Sequence, residues 1–199
     1  MVALENKVET PIKELVARCQ QGDRTAFQQL YRHHERKVRA TLYQLCGTQN
    51  LDDLVQDVFL RAWRGLPKLR EPAYFSTWLY RIAWNVATDR RRQLAKQPKT
   101  QSHVFNTDPN EATPSLAETL SRPQDSPDVM ALHYQGLVKR GLAHLTQDHR
   151  AVVVLHDLQD MPQKDIAQVL KIPVGTVKSR LFHGRKALKA FLVQEGVTL

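Results

Sequence analysis

Cysteine is nearly absent from this 199-residue sequence, and Cys19 and Cys46 stand alone, without the paired spacing of a zinc knuckle or a disulfide framework. Both are expected as buried thiols, since free cysteine packs as a small hydrophobe. Long apolar runs are missing too. The longest uninterrupted aliphatic stretch is Ala151 to Leu155, far below the ~20 residues that cross a bilayer, so no membrane span is expected. The opening residues MVALENKVET carry two glutamates and no apolar stretch before a small-residue cleavage site, which predicts a cytoplasmic protein. Glycine-rich phosphate loops are absent. The histidines are scattered, and His33-His34 lacks a glutamate at metal-binding spacing, so neither a metal, a cofactor nor a catalytic constellation is expected. The alternating pattern of half-buried strands is almost missing, and apolar residues recur instead at helical spacing. The fold class is therefore all-α.

What is present in excess is positive charge, a formal +9. It is unevenly placed. Basic side chains outnumber acidic ones in residues 1–96 and again in 128–199, whereas 97–127 reverses the balance and interleaves Pro98, Pro109, Pro114, Pro123 and Pro127. Prolines at that density exclude a continuous helix, so 97–127 is expected as an extended acidic linker between two small helical domains, 1–96 and 128–199. In the first domain, helices are expected on either side of Gly22-Asp23, after the Gly47 to Leu51 turn until Gly65 and Pro67, and from about Ser76 to Ala95. The second domain offers helices near 128–144, 148–157, 162–170 and 175–193.

Three helix faces carry functional signals. In the last helix, at about 100° per residue, Val177, Leu181, Gly184, Leu188, Phe191 and Leu192 form an apolar stripe. The opposite arc holds Lys178, Ser179, Phe182, His183, Arg185, Lys186 and Lys189, and no acidic residue occurs from Val174 to Gln194. With the preceding segment and the Lys171-Ile172-Pro173 break, this has the length of a helix-turn-helix whose second helix enters a major groove. The segment KLREPAYFSTWLYRIAWNVATDRRR, residues 68–92, interleaves rings with cations. Trp78, Leu79, Ile82, Ala83 and Val86 fall on its core side, while Tyr80, Arg81, Trp84, Asn85, Thr88, Arg91 and Arg92 are expected on an exposed arc suited to stacking and following a single strand. Asp89 falls on the apolar side as a partner for a nearby arginine. In DDLVQDVFLRAW, residues 52–63, Leu54, Val55, Val58, Phe59, Ala62 and Trp63 form a buried side. Asp53, Gln56, Asp57, Leu60 and Arg64 project outward, an acidic patch with an exposed leucine that suits a protein partner better than DNA.

In order and spacing, LVARCQQGDRTAFQQLY, DDLVQDVFLRAW, FSTWLYRIAWNVATDRRR and LAHLTQDHRAVVVLHDLQDMPQKDIAQVLKIPVGTVKSRLFHGRKAL resemble the extracytoplasmic-function (ECF) group of bacterial RNA polymerase sigma factors. The resemblance implies that the helix containing Asp53, Gln56, Asp57, Leu60 and Arg64 docks on the clamp helices of the polymerase largest subunit. It implies that residues 68–92 open the minus-10 element and capture an extruded base, with Arg70, Tyr74 and Phe75 at a pocket beside the helix start and Asn85 as a base or backbone contact. The helix matching Thr176 to Lys189, including Arg180, would read the minus-35 duplex. The linker would pass through the active-centre cleft and RNA exit path, the second domain would meet the flap region, and an anti-sigma factor would be a further partner. Lys178 stands where arginine is common, His183-Gly184 replaces a frequent Arg-Ala pair, and REPAYF fills a loop often containing glycine and serine. Promoter identity is where these departures bear, because lysine cannot make the two-pronged contact of arginine with guanine. The principal rival is a free-standing helix-turn-helix regulator acting as a dimer, but no dimerisation helix or heptad seam is seen. A nuclease or RNA-processing enzyme would need clustered carboxylates for metal, which are also missing.

Overall fold

The computed structural model describes residues 10–96 and 127–197, which are helical with short turns. The expected linker lies outside the described residues, apart from Pro127, which opens a helix. The first group comprises α1 (Ile12–Gln20), α2 (Arg24–Cys46), α3 (Leu51–Gly65) and α4 (Phe75–Lys96). Two 3-10 turns, Leu66–Lys68 and Pro72–Tyr74, join α3 to α4. The second group comprises α5 (Pro127–His144), α6 (Gln147–Val153), α7 (Gln163–Leu170) and α8 (Val174–Gln194).

Local chemistry sets the boundaries. Gly22, at φ +90°, turns the chain out of α1, and Asp23 then caps α2 by accepting from the Ala26 backbone N–H at 3.0 Å. That bond, with the Arg18 guanidinium donating at 2.7 Å, holds the Asp23 carboxyl below its ordinary range. Gly47, at φ +81°, stops α2 in a conformation that a side chain would strain. The Gln20 side-chain amide donates to the Leu66 and Leu69 carbonyls at 3.2 and 2.7 Å, tying α1 to the turn that leaves α3.

Burial follows the helical period. In α2, Ala26, Leu30, His34, Val38, Leu42 and Leu45 face Leu54, Val55, Val58 and Phe59 of α3 and Phe75, Leu79, Ala83 and Val86 of α4. Cys19 is inside this core and Cys46 is half-buried, and burial pushes both thiols up to about 11, so neither is a ready thiolate at neutral pH. His34 is a buried polar group within the core. Its Nδ1 meets the Leu30 carbonyl at 3.1 Å and its Nε2 the Ser76 hydroxyl at 3.2 Å, and burial lowers its pKa from the ordinary 6.5. The unfolded chain therefore binds a proton that the folded one resists. The stability that neutral His34 contributes is complete above the unfolded pKa and is lost as pH falls through 6.5 toward the folded value. Urea melts between pH 7.5 and 5 should show this decline, and His34→Gln should flatten it; an unchanged slope in the variant would place the titration elsewhere.

In the second group, Leu142, Leu145, Val152, Val154, Leu155, Ile166, Val169, Val177 and Leu181 form a separate buried cluster. Arg150 is buried with them. Its guanidinium donates to the carbonyls of Leu142, Ala143 and Leu145 at 2.6, 2.7 and 3.2 Å, satisfying acceptors that the end of α5 would leave orphaned. Thr146 caps α6, which runs on into a π-helical turn, Val154–Leu158. Lys171 takes the left-handed conformation, φ 56°, to stop α7, and Pro173 restarts the chain into α8.

The two groups touch. α7 lies against α4, and α2 meets α5 and α6. Ala151 of α6 is buried in the first core, Tyr80 of α4 is buried in the second, and Trp84 and Leu170 pack against both. Lys139 sits over the Tyr43 ring at 5.2 Å.

Candidate functional site

On α3, the apolar side expected from the sequence is inside: Leu54, Val55, Val58, Phe59 and Ala62 are buried. Asp53, Gln56, Leu60 and Arg64 are exposed, and Leu60 retains 47% of its surface. Asp57 is half-buried because it is engaged: Arg61 pairs with it at 2.8 Å and reaches Asp89 of α4 at 3.2 Å. This confirms a structural arginine partner for Asp89, while drawing Asp57 into the α3–α4 tie. At the other end, Arg39 bridges Glu35 and Asp52, both at 2.6 Å, and the Glu35 hydrogen bond leads in raising the guanidinium pKa. With Arg39 and Asp52 at its rim, Phe27, Tyr31, Phe59, Leu60 and Trp63 line a cleft of about 490 Å³. Its floor is an aromatic cluster, with Phe27 to Trp63 at 4.9 Å and Tyr31 to Phe59 at 4.5 Å. The Phe27 and Tyr31 contribution from α2 was not visible in the sequence. An apolar floor with a charged pair at its rim is chemistry for a partner helix rather than for a phosphate backbone.

The second face departs from expectation at several positions. Phe75 is 0% exposed, edge-on to His34 at 5.2 Å and tilted against Trp78 at 6.0 Å. It is a core residue, because it is the first residue of α4 and points back into the bundle. Tyr80, expected as an exposed ring, is 5% exposed, and its hydroxyl donates to Gln159 Oε1 at 2.9 Å. Burial pushes that phenol up to about 12. Trp84 is half-buried between the two cores rather than free, and the Thr88 hydroxyl is enclosed without a hydrogen-bond partner among the described residues. Arg70, Arg81, Asn85, Arg91 and Arg92 are exposed as expected, and Tyr74 keeps 52% of its surface on the Pro72–Tyr74 turn. The cations of this face thus remain in solvent while two of its rings are covered.

The third face matches its helical projection closely. Val177, Leu181 and Gly184 are buried, Leu188 and Phe191 partly so, and Lys178, Ser179, Phe182, His183, Arg185, Lys186 and Lys189 are exposed. Gly184 is where α8 approaches α6: an added Cβ would lie 2.9 Å from Val153 Cγ2 and 3.3 Å from His149 Cβ. Phe182 stands 65% exposed in the middle of the arc and makes no core contact. Two arginines at the margins are held by carboxylates. Arg180 pairs with Asp148 at 2.6 Å on the flank away from the arc, so it is less available than the sequence implied. Arg185 Nε donates to Asp157 Oδ2 at 3.0 Å. Burial alone would raise the Asp157 pKa, but the hydrogen bonds from Arg185 and His156 hold it below its ordinary value. Lys178, Phe182, Lys186 and Lys189 are left as the open centre, with Thr176 half-buried near the helix start.

Among the described residues no group of three or more His, Cys, Asp or Glu side chains is placed to hold a metal ion, and no helix is long and apolar enough to cross a membrane.

These faces coincide with matched family regions. Residues 30–97 match Sigma-70 region 2 and residues 135–188 match Sigma-70, region 4. The chain is 31% identical over 175 residues to the ECF RNA polymerase sigma-E factor of Escherichia coli, covering 87% of this chain and 90% of that one. It is 29% identical over 183 residues to the ECF RNA polymerase sigma factor SigW of Bacillus subtilis, covering 92% and 97%. Among solved structures, CnrH in complex with the cytosolic domain of CnrY superposes with a TM-score of 0.65 at 25% identity, over 92% of this chain and 97% of that chain. Helix order, paired helical groups and sequence identity converge on one assignment: the chain belongs to the ECF group of RNA polymerase sigma factors.

Proposed function

We propose that this chain binds the RNA polymerase core and directs it to promoters with three separate surfaces, supplying no catalytic group itself. The α3 cleft, with Asp53, Gln56, Leu60 and Arg64 around it, docks on the clamp helices of the largest subunit. The α4 face, with Arg70, Tyr74, Tyr80, Arg81, Trp84, Asn85, Thr88, Arg91 and Arg92, opens the minus-10 element and holds a displaced strand. Phe75 is withdrawn from that set. The α8 arc, centred on Lys178, Phe182, Lys186 and Lys189 and flanked by Thr176, Ser179, His183 and Arg185, lies in the minus-35 major groove. Residues 1–96 and 128–199 act as the two domains, 97–127 as their linker, and the second domain also meets the flap region. The single observation that supports this reading most is the α8 arc, a cationic surface with an exposed phenylalanine and no acidic side chain from Val174 to Gln194. Lysines there neutralise phosphates, and the Phe182 ring is placed for apolar contact with a thymine methyl.

The likeness to CnrH, solved in complex with the cytosolic domain of CnrY, supports a further protein partner, here an anti-sigma factor, and the role implies a cytoplasmic chain. Polymerase core loaded with this chain should select a two-part motif from a randomised duplex library; selection of an inverted repeat by the chain alone would instead support a dimeric regulator. Leu60→Asp is the cleanest probe of core docking, since Leu60 is exposed and outside the ion pairs, whereas Asp57→Arg would also break the Arg61 tie. Leu60→Asp should keep its helical content and melting behaviour and lose co-elution with core polymerase. Retained co-elution would move the docking surface away from α3.

A further inference from the structure

We infer that Asp157, braced by His156, is a positioning residue for duplex reading: it fixes the Arg185 guanidinium on the α8 arc as a directional donor to a base edge and keeps it off the phosphates. This deepens the proposed function and rests on its assignment of the α8 arc to the minus-35 major groove. Three observations carry it. Arg185 is held through two of its three nitrogens, Nε donating to Asp157 Oδ2 at 3.0 Å and Nη2 to Asp157 Oδ1. A two-pronged hold fixes the plane of a guanidinium, which a single contact does not. His156 Nδ1 stands 2.7 Å from Asp157 Oδ1 and 3.2 Å from Arg185 Nη2, so the ring braces both members of the pair. Nη1, with its two hydrogens, has no bond among the described residues, and the Arg185 side chain stays 53% exposed.

Local structure builds this clamp. Asp157 lies in the π-helical turn Val154–Leu158, four residues beyond Val153, whose Cγ2 would be 2.9 Å from a Cβ added at Gly184. Glycine lets α6 and α8 approach there, and a carboxylate about one turn further on reaches the next residue, Arg185. Electrostatics then decides what Arg185 can bind. A mobile arginine beside DNA settles on the nearest phosphate, drawn by the polyanion. Asp157 removes that pull, because the pair is close to neutral and its carboxylate repels a phosphate brought alongside. The Nη1 hydrogens remain, and they suit neutral acceptors. In a major groove these are purine N7, thymine O4 and guanine O6, and guanine presents two side by side. Arg185 follows Lys178 by seven residues, so it lies on the same side of α8, about 10.5 Å further along. Arg180 supplies the contrast: Asp148 pairs with it at 2.6 Å, but on the flank away from the arc.

The test uses holoenzyme assembled from core polymerase and the full-length chain. Its motif is selected from a randomised duplex library, and filter binding to a selected and to a scrambled duplex is then followed against salt. Arg185→Ala should lose about tenfold in discrimination at one base pair of the upstream element, with its salt slope on scrambled duplex as in wild type. Asp157→Ala releases the guanidinium: binding to scrambled duplex should tighten, the slope should steepen by about 0.9, and the same base-pair preference should fade. Asp157→Glu keeps a carboxylate and should restore that preference. A pair that only staples the π-helical turn to α8 would instead lower the melting temperature of Arg185→Ala and leave its motif intact. Asp148→Ala removes an equal charge on the other flank and should change neither motif nor slope. An unchanged motif in Arg185→Ala, or an equal steepening in Asp148→Ala, would overturn the inference. Failure of the α8 assignment looks different: the variant with Lys178, Lys186 and Lys189 all replaced by alanine would also keep the wild-type motif and slope.

Discussion

Phe75→Ala should cost about 3–5 kcal/mol of folding stability, the range for truncating a fully buried phenylalanine. The ring has no solvent exposure and meets His34 edge-on and Trp78 at a tilt, so its removal opens a cavity between α2 and the first turn of α4. A domain is usually stable by only about 5–15 kcal/mol, so the loss is a large share of the total. His34 would lose its aromatic neighbour and become easier to hydrate, and therefore to protonate in the folded state, which narrows the gap to its unfolded pKa and lessens the acid sensitivity described above. Urea denaturation checks this. A midpoint close to wild type, with loss of strand binding alone, would restore Phe75 to the DNA-contacting set suggested by resemblance.

The second large effect is expected on α8. Replacing Lys178, Lys186 and Lys189 together by alanine should weaken duplex binding by the holoenzyme and lower the salt dependence. Each phosphate contact contributes about 0.9 to the slope of log affinity against log salt, so three lost contacts should flatten it by about 2.7. The three side chains are exposed on the arc, and alanine is a good helix former, so the fold should be retained. Arg180 and Arg185 are poorer targets: their carboxylate partners Asp148 and Asp157 already offset their charge. An unchanged slope in the triple variant, measured by filter binding between about 50 and about 200 mM salt, would mean that the arc does not lie on the phosphates.

Most helix ends were legible because they rest on local chemistry. Gly22, Gly47 and the Lys171-Ile172-Pro173 break are backbone constraints carried by single residues, and each lies at a helix boundary in the structure. The α8 projection held for the same reason, since one helix packed on one side obeys its own period. Tyr80 and Trp84 were misplaced because a projection sees one helix at a time. They lie off the first core, as expected, but a second group covers them, and that contact depends on residues nearly 80 positions away, as in the Tyr80–Gln159 bond. Phe75 was misread because the helix was expected to begin at Ser76, which left the ring in a loop instead of in a core-facing first turn. Arg150, followed by an aliphatic run, gave no sign that it caps α5, because its acceptors are carbonyls, which every sequence has.

The proposed division of labour among the faces has a physical basis. The α3 cleft has an aromatic floor with one charged pair at its rim, the α4 face mixes rings and guanidinium groups, and the α8 arc is cationic around an exposed phenylalanine. Each suits a different partner chemistry: a protein helix, an unstacked strand and a duplex. Direct proof lies in run-off transcription with purified core polymerase and a genomic promoter library, with and without this chain. The account predicts new transcripts whose start sites share one upstream and one downstream element and that appear only when the chain is added; identical transcript profiles in both reactions would contradict it.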